Sequence, residues 1–417
     1  MTIGAGDRGP GEQEEIAEFG RGRTPRRSPW LIRLLLGALL LATVGVAIGR
    51  YGTQPQTPPR QASPPPLRLH QTVTRLGPGL LGITAAWDIF ARGPNDLVEI
   101  QPARGLITTT VVPALETGLP EVSFIIGAHE VLVSYPDLVP GYLIRDGAAP
   151  LTVTGPFRNG GPVIPGPDRG HVWVLPGSVG NSELELVGLD GRLAGRSLLL
   201  RAGQDLAGTA VSDGRGYVLL MGEDSRLYDV GPGFSRPVAG QVVAVGPTAW
   251  LAVSCHAQRC RNLVVNPATG ADRLLPGAAA QELYWDWPPR GVVSPDGSTA
   301  AVIAEASTPS VRLINMRSGT SRTLPVPMAN SPANQVMVWS PDSRWLFLAA
   351  SNGRLLALNA RTGALQTFGG QLPNITQVAI RPASDSASGT RTSSDPGRTA
   401  LVSELPGPII SPSPLVR

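Results

Sequence analysis

Lysine is absent from this 417-residue sequence, and every one of its 35 basic residues is arginine. The arginines are scattered among 31 acidic residues, and the formal net charge is only +4. A basic stripe with interleaved aromatics would mark a nucleic-acid partner, and none is present. We read the arginine usage as a GC-rich coding bias and not as a phosphate-binding surface. Histidine is scarce. His70, His129, His171 and His256 stand apart, no two at ligand spacing, and there is no His-Glu-x-x-His. No Gly-x-Ser-x-Gly elbow and no glycine-rich phosphate loop occur. The sequence therefore names no catalytic residue, no metal ligand and no cofactor. Cysteine is limited to Cys255 and Cys260, without the Cys-x-x-Cys spacing of a redox pair.

What is abundant is punctuation: Gly 50 and Pro 42, spread between short strands and not gathered in one tract. Ahead of the strands, residues 1–29 are polar, with an acidic cluster (Glu12, Glu14, Glu15, Glu18) and then a basic one (Arg21, Arg23, Arg26, Arg27). Such a composition cannot bury a core, so a disordered cytoplasmic tail is expected. Trp30–Gly49 is an apolar run broken only by Arg33 and Thr43. At 1.5 Å per residue it spans a hydrocarbon core of about 30 Å. Arg33 can snorkel toward the headgroups, and Trp30 suits the interface. Arginines crowd the N-terminal flank, so the positive-inside rule puts the N-terminus in the cytoplasm and everything after Tyr51 outside. The expectation is a single-pass anchor in a bacterial cell membrane, with the lipid bilayer as partner of residues 30–49. A signal peptide cleaved near Gly45-Val46-Ala47 is the alternative. Residues 50–75 read as a proline-rich linker. Its centre, Gln54–Pro66, stays extended at about 3.1 Å per residue and holds the rest off the membrane.

Val338–Gly363 organises the remainder of the chain. It reads as a strand, a Ser-Pro-Asp turn, a strand, an Asn352-Gly353 turn, a strand and an Arg-Thr-Gly turn. Asn-Gly is a strong hairpin signal, because a two-residue turn needs φ > 0 at its centre. The same order starts at Val292 with Ser294-Pro295-Asp296-Gly297, and a four-stranded unit recurring after about 45 residues is a propeller blade. These residues resemble the TolB-type and WD40-like propellers of bacterial envelope proteins, whose blades carry Ser-Pro-Asp-Gly after the first strand. The resemblance rests on Ser294–Gly297 and on Ser340–Asp342, where Ser343 stands in place of the glycine. It implies an all-β propeller over residues 76–410.

Weaker copies of the turn, at Pro167-Asp168-Arg169, Ser212-Asp213-Gly214 and Gly246-Pro247-Thr248, belong to a ring of seven blades. Ile375–Arg381 then reads as one more first strand. It either completes the N-terminal blade and closes the ring, or begins an eighth. Ala383–Gly397 is a low-complexity insertion, expected to be a mobile loop. The turn aspartates fit capping of their own turns through backbone N–H groups. Calcium binding or catalysis is the competing reading.

Cys255 and Cys260 flank a short loop between two strands, a spacing that suits a disulfide in an oxidising compartment. The connection Tyr284-Trp285-Asp286-Trp287-Pro288-Pro289-Arg290 carries the residue types that dominate binding hot spots. Tyr284, Trp285, Asp286, Trp287 and Arg290 are therefore the candidate partner site, with inter-blade packing of the tryptophans as the competing role. The function expected is a non-catalytic binding or scaffold module for an envelope protein, glycan or small ligand. The alternative is a propeller lyase, hydrolase or dehydrogenase with convergent His, Arg and carboxylate groups at the axial funnel.

Overall fold

The computed structural model describes residues 70–382 apart from 114–122, 135–140, 147, 154–156, 158–162, 175–182, 201–209, 223–224, 257–258, 278–287, 305–308, 329–335 and 369–371. All of these residues fall in one compact unit, Pro66–Arg417. The tail, Trp30–Gly49, most of the linker, Tyr284–Trp287 and Ala383–Gly397 lie outside the described residues. Among the described residues no helix is long and apolar enough to cross a membrane.

The chain is an all-β propeller built from antiparallel meanders. β1 (Gln71–Arg75), β2 (Asp88–Arg92), β3 (Asp96–Gln101) and β4 (Leu106–Val111) come first. β5 (Ser123–Ile126), β6 (Glu130–Ser134), β7 (Tyr142–Arg145) and β8 (Leu151–Thr152) make the second meander. Next are β9 (Val163–Pro165), β10 (His171–Val174), β11 (Glu183–Gly188) and β12 (Leu193–Leu199), then β13 (Ala210–Ser212), β14 (Val218–Met221), β15 (Leu227–Gly231) and β16 (Phe234–Pro237). β17 (Gln241–Val245), β18 (Trp250–His256), β19 (Arg259–Val265) and β20 (Asp272–Leu274) lead to β21 (Gly291–Val293), β22 (Thr299–Ala304), β23 (Ser310–Asn315) and β24 (Ser321–Leu324). β25 (Met337–Trp339), β26 (Trp345–Ala349), β27 (Leu355–Asn359) and β28 (Leu365–Thr367) precede the last strand, β29 (Gln377–Arg381).

β29 starts no sheet of its own among the described residues. It pairs antiparallel with β2, from Asp88↔Arg381 to Arg92↔Gln377, and supplies the inner strand of the first meander. The sheet order β1-β4-β3-β2-β29 joins the two ends of the propeller. β1 falls in the stretch read from sequence as linker. It adds to β4 as an outer strand. All five of its residues are exposed, so it has none of the apolar alternation that marks a half-buried strand.

Burial grades across each sheet. Central strands read as continuous apolar runs because both faces pack on neighbouring sheets; all five residues of β26 are buried. Outer strands such as β20 and β28 are fully exposed. Tryptophans tie neighbouring sheets together: Trp173 Nε1 donates to the Gly216 carbonyl and Trp250 Nε1 to the Asp213 carbonyl, both at 2.8 Å. β17 and β21 approach closely enough to pair in parallel through Ala244↔Gly291 and Val245↔Val292, giving one eight-stranded sheet. Gly291 permits this, since a Cβ there would lie 2.5 Å from that of Ala244.

The Ser-Pro-Asp turns are capped from within. Ser294 Oγ donates to Asp296 Oδ1 (2.6 Å), which also accepts from Ser298 N–H (3.0 Å), while Thr299 N–H donates to Ser294 Oγ (3.0 Å). Ser340 and Asp342 repeat the pattern. Ser343 adopts φ 59, the left-handed conformation otherwise left to Gly297, and its hydroxyl accepts from the Asp296 N–H of the neighbouring turn at 3.0 Å. That inter-sheet bond offsets the strain of a non-glycine residue there.

Cys255 and Cys260 are disulfide-bonded opposite one another in the β18–β19 hairpin, with 4.0 Å between Cα atoms. Mass mapping without reductant should yield one linked peptide pair, and loss of the bond should cost about 2 kcal/mol, since the closed loop is short. Two free thiols in freshly prepared protein would overturn the assignment.

Candidate functional site: the axial channel

The inner strands β5, β9, β13, β17, β21, β25 and β29 surround a cavity of about 380 Å³. Each of the pairs β25–β29, β29–β5, β5–β9, β9–β13, β17–β21 and β21–β25 lies side by side. Phe124, Ile126, Val245, Val292, Val338 and Ile380 line the cavity and stay half-buried. Gly214, Gly246, Pro247 and Pro295, on the turns that close the inner strands, rim one end. Among the described residues the polar side chains in the lining are the hydroxyls of Ser123 and Ser212 and the Trp339 indole, whose N–H donates to the Val292 carbonyl (3.2 Å), and no titratable side chain contributes. The inner edges of β5, β9, β13, β25 and β29 carry no strand partner among the described residues. The channel is thus apolar in its side chains yet offers backbone N–H and C=O groups, as free strand edges do.

Charged groups gather instead at the closing seam, beside the channel. Arg92 is buried; its Nη1 donates to Gln377 Oε1 (2.6 Å) and its Nε to the Tyr142 hydroxyl (3.3 Å). Arg381 stacks over Phe90 (4.4 Å), donates to the Gly127 carbonyl (3.1 Å) and pairs with Asp146 (3.3 Å). Burial, together with the Glu99 carboxylate, pushes Asp88 up to about 6 against the pull of Arg381 and Arg104.

A carboxyl whose folded pKa lies above its unfolded value of about 3.9 disfavours folding once both states are ionised. The penalty is full above pH 6 and is relieved as the pH falls through 6. Asp88→Asn should therefore raise stability at pH 7.5 by about 1–2 kcal/mol, after discounting for solvent screening, and by progressively less toward pH 4.5. Thermal melts of both proteins across that range check it. A gain that does not depend on pH would mean the amide acts through packing and not through charge.

No family model and no curated protein matches the chain. Several solved structures resemble it at low identity. TolB from Acinetobacter baumannii shares 14% identity over 72% of this chain and 83% of that one, with a TM-score of 0.39. Apo AztD from Citrobacter koseri shares 13% over 71% and 98%, with a TM-score of 0.38. A functionally unknown protein from Desulfotomaculum acetoxidans shares 15% over 71% and 99%, with a TM-score of 0.42. These likenesses name no ligand for this chain.

Of the residues singled out from sequence, Tyr284, Trp285, Asp286 and Trp287 lie outside the described residues. Arg290 is half-buried just before β21, and its carbonyl accepts from Ile303 N–H at 2.8 Å. The histidines stay on separate sheets. His171 Nδ1 lies 2.7 Å from Asp168 and His129 Nδ1 3.7 Å from Asp146. Burial pushes Asp168 upward, but hydrogen bonds from His171 and the Gly170 N–H outweigh it and hold the carboxyl below its ordinary range.

No sequence motif marks the channel lining. Its signal is a register: Val292 and Val338 each stand two residues before the serine of a Ser-Pro-Asp turn. A second cavity, of about 250 Å³, lies between the β13–β16 and β17–β20 meanders beside Cys255.

Proposed function

We propose that this chain is a membrane-anchored, extracytoplasmic binding or scaffold module. Trp30–Gly49 crosses the bilayer with the N-terminus inside, and a propeller of seven blades, counting the eight-stranded sheet as two, stands outside. The observation that carries the reading is the axial channel, whose described lining is mainly aliphatic and aromatic and suits apolar recognition. General acid–base or nucleophilic chemistry at the axis would draw on titratable side chains, and this lining contributes aliphatic, aromatic, Ser, Gly and Pro residues. The connection holding Tyr284, Trp285, Asp286, Trp287 and Arg290 leads into β21 and is the second contact surface of the proposal.

The test is capture of partners from intact membranes by the ectodomain. Val338→Arg puts a charge into the channel and should reduce capture at least tenfold with little change in the thermal midpoint. Trp287→Ala should weaken capture by about 2 kcal/mol if that side chain is a hot spot. Capture unaffected by either variant would overturn the proposal. Sensitivity to Trp287→Ala alone would move the site from the channel to the connection.

A further inference from the structure

β1 is a fifth strand on its sheet, where the other meanders have four. Among the described residues it pairs with β4 alone and forms the outer edge. It therefore stands out by one strand spacing, roughly 4.8 Å, past the depth of a four-stranded meander. Natural edges are blunted by proline, bulges or inward-pointing charges. β1 reads QTVTR, without proline and with its charge, Arg75, at the end. Its register on β4 runs unbroken from Gln71↔Thr110 to Arg75↔Leu106, so no bulge twists the edge away. Val73, at its centre, is 57% exposed.

The ladder fixes which backbone groups face outward. Val111 N–H donates to the His70 carbonyl, and Leu76 N–H to the Gly105 carbonyl. In an antiparallel pair, alternate residues bond the same neighbour. Thr72 and Thr74 therefore share the β4 side, while Gln71, Val73 and Arg75 turn their N–H and C=O groups outward. We propose that this edge pairs with the same edge of a second copy, antiparallel about a two-fold axis at Val73. A two-fold interface sets residue i against j and j against i. Val73 then faces Val73 of the second copy, Gln71 faces Arg75, and Thr72 faces Thr74. All three outward residues fall in hydrogen-bonded pairs, each exchanging both N–H···O bonds.

The side chains favour that register. An axis at Thr72 or Thr74 would set Arg75 or Gln71 past the end of the facing strand. An axis at Arg75 would oppose two guanidiniums, and like charges directly opposite are destabilising. With the axis at Val73, an exposed valine meets its copy, and threonine meets threonine on either side, pairs that stabilise sheets. Gln71 Nε2 donates to Thr110 Oγ1 (3.2 Å), which leaves Gln71 Oε1 to accept from Arg75 of the second copy. An edge of five residues buries far less than the roughly 1,200–2,000 Å² of stable complexes. The pair is therefore reversible and concentration-dependent. It leaves the inner strands untouched, so it stands apart from the channel reading.

The two cysteines of the chain are bonded to each other, so Val73→Cys adds its only free thiol. The hydrogen-bonded pair at the axis has its Cα atoms about 5.5 Å apart, which suits a disulfide. Under mild oxidation of intact cells expressing the full chain, Val73→Cys should give a linked dimer. Its yield should exceed at least tenfold that of Leu193→Cys, at a site equally exposed on the outer strand β12. Peptide mapping should find position 73 joined to position 73. Val73→Pro deletes an outward N–H and no bond to β4, a place where edge strands accept proline. It should cut co-isolation of two differently tagged full-length copies at least tenfold and leave the thermal midpoint almost unchanged. Equal dimer yields from the two cysteine variants would overturn the proposal. So would adducts chiefly to another protein, or co-isolation that Val73→Pro leaves intact.

Discussion

Ending the chain after Ile375 should abolish the cooperative unfolding transition of the propeller. The cut removes β29, which makes five residue pairs with β2. It exposes apolar surface packed against Val378, which is fully buried, and leaves a gap between β25 and β5. Arg92, buried at 5% exposure, loses Gln377, and Asp146 and Phe90 lose Arg381. Burying one aliphatic side chain is worth about 1.5–3 kcal/mol. Taking one acceptor from a buried guanidinium costs about 1–3 kcal/mol more. With the ladder bonds the loss exceeds about 5 kcal/mol, the lower bound of a typical domain's whole stability. The first sheet would also present an open edge, so aggregation should accompany the loss. Urea titration of this truncation beside one ending after Pro382 isolates the strand's part. A cooperative transition surviving in the shorter protein would show that the ring closes by another route.

That closing strand is half legible in the sequence. Ile375–Arg381 carries the apolar pattern of a first strand, and nothing like a second strand stands within reach of a tight turn. The partner cannot be read locally, because Asp88–Arg92 lies nearly three hundred residues away. The other inner and central strands announce themselves, since β-branched and aliphatic runs stop at Ser-Pro-Asp, Asn-Gly or Gly-Pro signals. β1 does not, because an exposed edge strand has no core to pattern against. The channel shows the same limit at the level of the site. Val292 and Val338 are ordinary strand valines until the ring brings Phe124 and Ile380 opposite them.

The turn aspartates share a motif and differ in load, which sequence cannot show. Asp296 serves only its own turn and its neighbour. Burial pushes it upward, but the Ser294 hydroxyl and the Ser298 N–H outweigh that and hold it below the ordinary carboxylate range. Asp213 is fully buried. Its Oδ1 accepts from the N–H groups of Arg215 and Tyr217 (2.7 and 2.8 Å), and its Oδ2 from Arg215 Nε (2.7 Å). Arg215 carries the contact onward to Asp229, a residue no motif marks.

Asp229→Ala is expected to be the most damaging single substitution outside the seam. The side chain is fully buried at the junction of two guanidiniums. Its Oδ2 accepts from Arg215 Nη2 (2.9 Å) and from Arg236 Nε and Nη2 (3.0 and 2.6 Å). Arg236 also donates to the carbonyls of Pro267 and Ala268, on the β19–β20 turn of the next meander. Arg215 lies over the Tyr217 and Trp250 rings at 5.3 and 5.8 Å. One carboxylate therefore holds together two arginines that join neighbouring sheets. Removing it leaves Arg236 partly buried without its counter-charge and leaves Arg215 with Asp213 alone, at a cost of about 3–5 kcal/mol. Asp229→Asn keeps the shape but not the charge and should cost less. Adding Arg236→Ala to Asp229→Ala removes one stranded cation, so the double variant should lose less than the sum of the singles by about 0.5–3 kcal/mol. Urea titration of the four proteins measures that coupling. Additive losses, or a loss below about 1 kcal/mol for Asp229→Ala, would mean that solvent screens these charges and that apolar packing alone holds the two meanders together.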